Sequence, residues 1–216
     1  MNWGWLADNL GRIAALAGDH LAIAVPAIVL ACLVAVPLGW LAHAFGPARE
    51  VLVMLTSLIY VVPSLAMFIL MPLLLGTSIL SPLNVVAAMT LYGIALMVRS
   101  AADAFDAVPE AVRQSATAAG YSPARRVAAV ELPLATPGLI AGARVVAAST
   151  ISLVSVGALI GVQSLGTLFT DGFQRSFPTE ILAGIVGTVL LAVVVDLVIV
   201  ALGRLATPWT RAERSA

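Results

Sequence analysis

Between Val51 and Val98 the chain has no Asp, Glu, Lys, Arg or His, and between Val145 and Thr170 there is again none. Only His43 interrupts the stretch from Leu21 to Ala48, and only Asp196 the stretch from Ile181 to Gly203. A helix needs about 20 largely apolar residues to cross a hydrocarbon layer. These runs therefore predict one, two, one and one crossings, near 20–43, 51–75, 83–100, 134–161 and 181–204. Helices close all their backbone hydrogen bonds internally, as a hydrocarbon solvent requires. The expected fold class is all-α: a polytopic membrane protein of five spans forming one domain over residues 1–216, with a polar loop at about 101–133. Charged residues make up 10% of the chain, against about 25% in soluble domains.

The basic residues decide two further points. All eleven are Arg. A phosphate-binding Walker A loop needs a Lys, so the chain has none and any dependence on ATP must come from another subunit. Eight Arg (49, 99, 113, 125, 126, 204, 211 and 214) fall on one side of a five-span topology, with Arg144 close to it, and only Arg12 and Arg175 on the other. Positive residues favour the cytoplasm, so the N-terminus is expected outside and the C-terminus inside. The net charge of zero gives no case for a nucleic-acid partner. Cys32 is a small apolar residue within a span, and the first residues do not look like a cleaved signal peptide.

Pro26, Pro37, Pro63 and Pro72 predict kinks in the first two spans. Gly138 and Gly142, Gly157 and Gly161, and Ala183 and Gly187 have the four-residue spacing that lets helix backbones approach closely. The segment from Ser100 to Leu134 is too polar to span. Pro109 and Glu110 suit a helix N-terminus, an Ala-rich stretch follows, and Gly120 suits the left-handed residue after a helix. Ser122 and Pro123 then suit a new N-terminus. The loop is expected to be helix, Gly turn and a second helix to about Glu131, interrupted by Pro133, with a proline-led approach to span four. Two short helices held off the membrane make a docking surface; an amphipathic loop on the membrane surface is the alternative.

Gln114-Ser115-Ala116, three residues, Gly120, nine residues and Val130-Glu131-Leu132-Pro133 resemble the EAA loop of ABC importer permeases. That pattern is Glu-Ala-Ala, three residues, Gly, nine residues and Ile-x-Leu-Pro. Gln114 and Ser115 depart from it, and Glu110 lies one turn earlier. The resemblance extends from about Leu21 to Arg204. Val61-Val62-Pro63-Ser64-Leu65-Ala66, Glu131-Leu132-Pro133-Leu134-Ala135, Ala141-Gly142-Ala143-Arg144, Ala158-Leu159-Ile160-Gly161 and the late acid Asp196 are similar to permeases for glycine betaine, carnitine, choline or proline. The run Gly161-Val162-Gln163-Ser164-Leu165-Gly166 departs from the glycine-rich segment found there.

The resemblance implies the type I ABC importer permease fold and a loop that docks an ATPase subunit through Gln114, Ser115, Ala116, Gly120, Arg125, Arg126, Leu132 and Pro133. It further implies a second permease subunit, an extracytoplasmic substrate-binding protein, a bacterial inner-membrane location, no cofactor on this chain, and ATP with Mg on the partner. Ser57, Tyr60, Ser64, Ser152, Ser155 and Gln163 are candidate pathway-lining residues. Tyr60 offers an aromatic face to a quaternary ammonium. Against each hydroxyl stands a plain bond to a carbonyl one turn back. Asp196, deep in a span, is expected either to pair structurally or to line the pathway. Arg144 is expected to contact the loop or lipid headgroups. A methionine or other amino-acid permease is the nearest alternative. An intramembrane hydrolase using His43 with Ser57 or Ser64, and a small channel, are the alternatives from other classes; the chain lacks a Gly-x-Ser-x-Gly elbow and a filter motif.

Overall fold

The computed structural model describes residues 2–211; Arg214, counted above toward the cytoplasmic side, lies outside them. Among the described residues every regular element is helical. In chain order they are α1 Trp3–Asp8, α2 Leu10–Ala44, α3 Gly46–Val61, α4 Ser64–Leu75, α5 Pro82–Asp106, α6 Glu110–Ala118, α7 Pro123–Arg126, a π turn Val127–Glu131, α8 Leu132–Val154, a 3-10 turn Ser155–Ile160, α9 Thr167–Gln174, α10 Pro178–Ala206 and a final 3-10 turn.

Three helices make the centre. Along α2, Ala24, Ala27, Ala31 and Ala35 recur every three or four residues and are fully buried. This narrow seam lets α5 lie close, so that Met89 of α5 packs in one cluster with Ile151 and Val154 of α8, and Val98, Ala101 and Phe105 of α5 pack in a second with Val146 of α8. Between helices in lipid the gain is dispersion and close approach rather than release of water. The pair Gly138 and Gly142 of α8 serves this packing inside the chain: a Cβ on Gly142 would stand 2.7 Å from Ser100 Cβ on α5.

Four continuous helical segments are long and apolar enough to cross a membrane: Leu10–Ala44, Pro82–Asp106, Pro123–Ile160 and Pro178–Ala206. In place of the single helix expected over 51–75 stands a broken pair, α3 and α4, which meet at 101° and are together apolar enough to count as a fifth span. The break follows from Pro63. Its ring disfavours helical geometry in the residue before it, and Val62 is extended, with φ −63° and ψ 129°. Pro26 and Pro37, by contrast, lie within α2, which runs unbroken for 35 residues.

Pro133, expected to interrupt the loop's second helix, does not end it. The helix runs on from Pro123 to Ile160. A proline ring clashes with the carbonyl four residues back and lacks the N–H that would bond it. Here the turn just before it is widened: Leu132 donates to the Val127 carbonyl, five residues back. The π turn absorbs the proline and leaves the helix continuous.

Outside this centre the surface is apolar. Leu58 and Val61 of α3, Leu73 of α4, and Val189, Val193, Leu197 and Leu202 of α10 are all exposed, as suits helices that face lipid or another membrane subunit.

Candidate functional site

The loop between α5 and α8 folds as a helix, a turn and a helix. α6 spans Glu110–Ala118 and buries only Ala116. Gly120 has φ +83°, a conformation that costs side chains about 1–2 kcal/mol. Tyr121 donates to the Ala116 carbonyl at 3.1 Å and Gly120 to Thr117 at 3.0 Å, which satisfies carbonyls left over at the end of α6. Ser122 caps α7 by accepting from the Arg125 amide. Arg125 lies over the Tyr121 ring, 4.7 Å from its centre, and stiffens the turn from outside.

Ala111, Val112 and Ser115 are exposed on α6. Ser115 Oγ donates to the Ala111 carbonyl at 2.8 Å, so the outer face of α6, formed by Ala111, Val112 and Ser115, is smooth and short-chained; Gln114 Nε2 donates to Glu110. Leu132 is also exposed, while Pro133 is half-buried. The opposite side of α6 faces a cavity of 690 Å³ lined by Trp40, His43, Arg113, Thr117, Arg126 and Glu131, among others.

Two polar connections cross that cavity. Arg113 Nη1 donates to His43 Nε2 at 2.5 Å, and His43 Nδ1 donates to Asp106 at 2.5 Å. A guanidinium only donates and a carboxylate only accepts, so the imidazole is neutral with its proton on Nδ1. Asp106 also pairs with Arg49, which holds Asp103 at 2.6 Å. The ends of α2, α3 and α5 are thus tied to α6. In the second connection, Arg126 Nη1 donates to Thr117 Oγ1 at 3.1 Å and Arg126 Nε to Glu131 at 2.7 Å. Trp40 Nε1, from α2, donates to the other Glu131 oxygen at 3.3 Å.

The structure puts Gln114, Ser115, Ala116, Gly120, Arg125, Arg126, Leu132 and Pro133 on one helical hairpin. Among the described residues no hydrogen bond or ring contact joins one of the six pathway candidates to another. Ser57 Oγ donates to the Val53 carbonyl at 2.6 Å. Tyr60 packs edge-on against Tyr92, with centres 5.6 Å apart, and Tyr92 donates to the Val62 carbonyl at the helix break. Ser64 begins α4 just after that break, and Ser152 is exposed on α8. Ser155 Oγ is buried with no hydrogen-bond partner among the described residues. Gln163 accepts from Thr167 in the loop before α9.

Asp196 is held by Arg144 in a two-point pair, at 2.6 and 2.8 Å. Arg144, expected to reach the loop or headgroups, instead joins α8 to α10 within the membrane. His43 has both ring nitrogens engaged by Arg113 and Asp106, so it forms no dyad with Ser57 or Ser64. Sequence reasoning missed Trp40, His43, Glu131 and the Asp103–Asp106 pair as members of the site. It also missed a cluster at the opposite end, where Arg12 and Arg175 converge on the buried Glu180 at 2.8 and 2.7 Å and Arg12 reaches Asp171 at 2.5 Å. The usable signals were a lone acid in an Ala-rich run at Glu131 and the two acids three residues apart on α5.

The model of the family described as binding-protein-dependent transport system inner membrane component matches residues 21–212. Among curated proteins, the chain is 32% identical to the osmoprotectant import permease protein OsmW of Salmonella typhimurium, over 89% of this chain and 90% of that one. It is 29% identical to the choline transport system permease protein OpuBB of Bacillus subtilis, over 94% and 93%. Among solved structures, it matches a chain of the inward-facing MetNI methionine ABC transporter with a TM-score of 0.81 at 18% identity, covering 96% of this chain and all (100%) of that one. At that identity the match speaks for the fold: this is the fold of a type I ABC importer permease.

Proposed function

The chain belongs to the family of binding-protein-dependent transport system inner membrane components, and from that premise we infer that it is the permease subunit of an ATP-driven importer for a small osmoprotectant such as glycine betaine, choline, carnitine or proline. The observation that carries the reading is the helix-turn-helix at 110–126 joined without a break to a membrane-crossing helix, Pro123–Ile160. A stiff rod of this kind transmits displacement from a docked partner into the membrane. The short-chained outer face of α6 suits insertion into a groove on that partner.

The partner in this reading is an ABC ATPase subunit, which holds ATP and Mg; this chain carries no enzymatic step. A second permease subunit, the same chain or a similar one, pairs with it, and an extracytoplasmic binding protein delivers the substrate. The chain sits in the bacterial inner membrane with its N-terminus outside and α6 in the cytoplasm, a reading supported by the Arg distribution. As the ATPases close on ATP, the coupling hairpins draw together and the spans rock between inward and outward openings. Polar side chains near the break at Pro63, with Ser152, Ser155 and Gln163, are candidates for the lining of that route.

The substrate class rests on relatives at about 30% identity that align over nearly their whole length. For the methionine alternative the match is a likeness of fold at 18% identity. The test is to purify the tagged chain in mild detergent, co-expressed with the proteins encoded beside it. An ATPase retained by the unaltered chain and lost when residues 113–126 are scrambled is the expected result. An ATPase retained equally by both, or by neither while the helices stay folded, overturns the coupling assignment.

A further inference from the structure

α6 must carry force, yet Ala116 is its only buried residue, and a cavity of 690 Å³ lies beneath it. It is held by side-chain bonds across that gap, and one of them ends on an acid withdrawn from water. The Glu131 side chain is 2% exposed. It accepts from Arg126, which also grips Thr117 of α6, and from Trp40 of α2. The helix leading into α8 and α2 therefore meet at one carboxylate, and the coupling helix is joined to it through Arg126.

The backbone is adjusted to make this meeting occur. Arg126 and Glu131 are five residues apart, which on an α-helix sets them about 140° around the axis from one another. The π turn over Val127–Glu131 has i→i+5 bonding and brings them to the same side. The guanidinium is a rigid planar fork, and its bond to a carboxylate is charge-assisted. The Arg126–Glu131–Trp40 link is accordingly stiff at both ends.

We propose that Glu131 is a positioning residue that fixes the angle of the coupling hairpin against α2 and α8, so that movement of the docked ATPase reaches the spans through the Arg126–Glu131–Trp40 link. The proposal rests on the reading of residues 110–133 as an ATPase-coupling loop. In Glu131→Gln the amide oxygen can accept from only one of the two donors, and the amide NH₂ confronts the other. Trp40→Phe removes the indole N–H and keeps most of the ring.

The experiment reconstitutes the full complex, with its ATPase and binding protein, in proteoliposomes and counts substrate molecules imported per ATP hydrolysed. ATPase retention and melting temperature are recorded alongside. Glu131→Gln is expected to keep the ATPase bound and lower the import-to-hydrolysis ratio by about tenfold. Trp40→Phe should lower it less, and the double variant no further than Glu131→Gln alone. A Glu131→Gln complex with the wild-type ratio overturns the proposal, even if it melts earlier, and so does a double variant whose losses multiply. If Glu131→Gln fails to assemble, Trp40→Phe decides, and an unchanged ratio there overturns the proposal. An unaltered chain that retains no ATPase overturns the coupling-loop reading itself, and that result is distinct from the others.

Discussion

A carboxylate in a membrane span is tolerated only through what it is bonded to, and Asp196 accepts two bonds from Arg144. Each residue of the pair keeps the other's charge compensated. Asp196→Leu and Arg144→Leu are both expected to lower the amount of folded protein in the membrane, because each leaves one charge alone among apolar helices. The double variant should recover most of that amount, read by fluorescence-detected gel filtration; if it is as depleted as either single variant, the pair is not what stabilises these positions. The acid was legible in the sequence as a lone charge in an apolar run. Its partner was not, because the two residues are 52 positions apart and Arg144 lies close to a basic, cytoplasmic-looking segment. His43 was obscured for a similar reason: at the end of a span it is an ordinary interfacial residue, and only folding brings Asp106 and Arg113 to its two nitrogens.

At the level of elements, the sequence was most informative where a residue type has few conformational options. Gly120 takes the left-handed turn expected of it, Ser122 and Pro123 start the next helix, and four of the five apolar runs are continuous helices. Prolines divided the expectations. Pro63 breaks its span outright, while Pro133 is absorbed by a π turn that nothing in the local pattern announces. Which outcome a proline produces depends on whether neighbouring helices can hold a widened turn, and that is tertiary information. The Gly138 and Gly142 spacing was legible as a packing motif, whereas its partner helix was not. Those glycines meet Ala104 and Ser100 of α5. Gly142→Leu would drive a side chain into Ser100 and Met97 Sδ, which a Cβ alone approaches to 3.0 Å, and should destabilise the bundle by about 2 kcal/mol. A lower melting temperature in detergent checks this, and an unchanged one means the α5–α8 contact is looser than described.

Across the whole molecule, two features divide the work. A tight alanine seam joins α2, α5 and α8 into one body, and the bent pair α3–α4 with the exposed α10 forms the apolar periphery. Apart from the Arg144–Asp196 pair, the ion pairs among the described residues lie at the two ends: the His43 and Glu131 connections beneath the hairpin of α6 and α7, and the Arg12, Asp171, Arg175 and Glu180 cluster that ties α2 to α9 and α10. A close-packed middle braced by polar links at its ends suits alternating access, in which bodies rock without unpacking. The apolar runs and the loop's Gly and Pro spacing made the fold class and the helix-turn-helix at 110–126 legible. The route for substrate was not, because the hydroxyls on α3 and α8 satisfy local carbonyls or stand apart, and a pathway between two subunits is not contained in one chain.

The most direct measurement is uptake of labelled glycine betaine by cells that lack their own osmoprotectant importers and express this chain with the proteins encoded beside it. Accumulation is expected that requires the ATPase and disappears when residues 113–126 are scrambled, with unlabelled choline or carnitine competing more strongly than methionine. Uptake that persists without the ATPase, or methionine import in place of glycine betaine import, would contradict the osmoprotectant-importer reading.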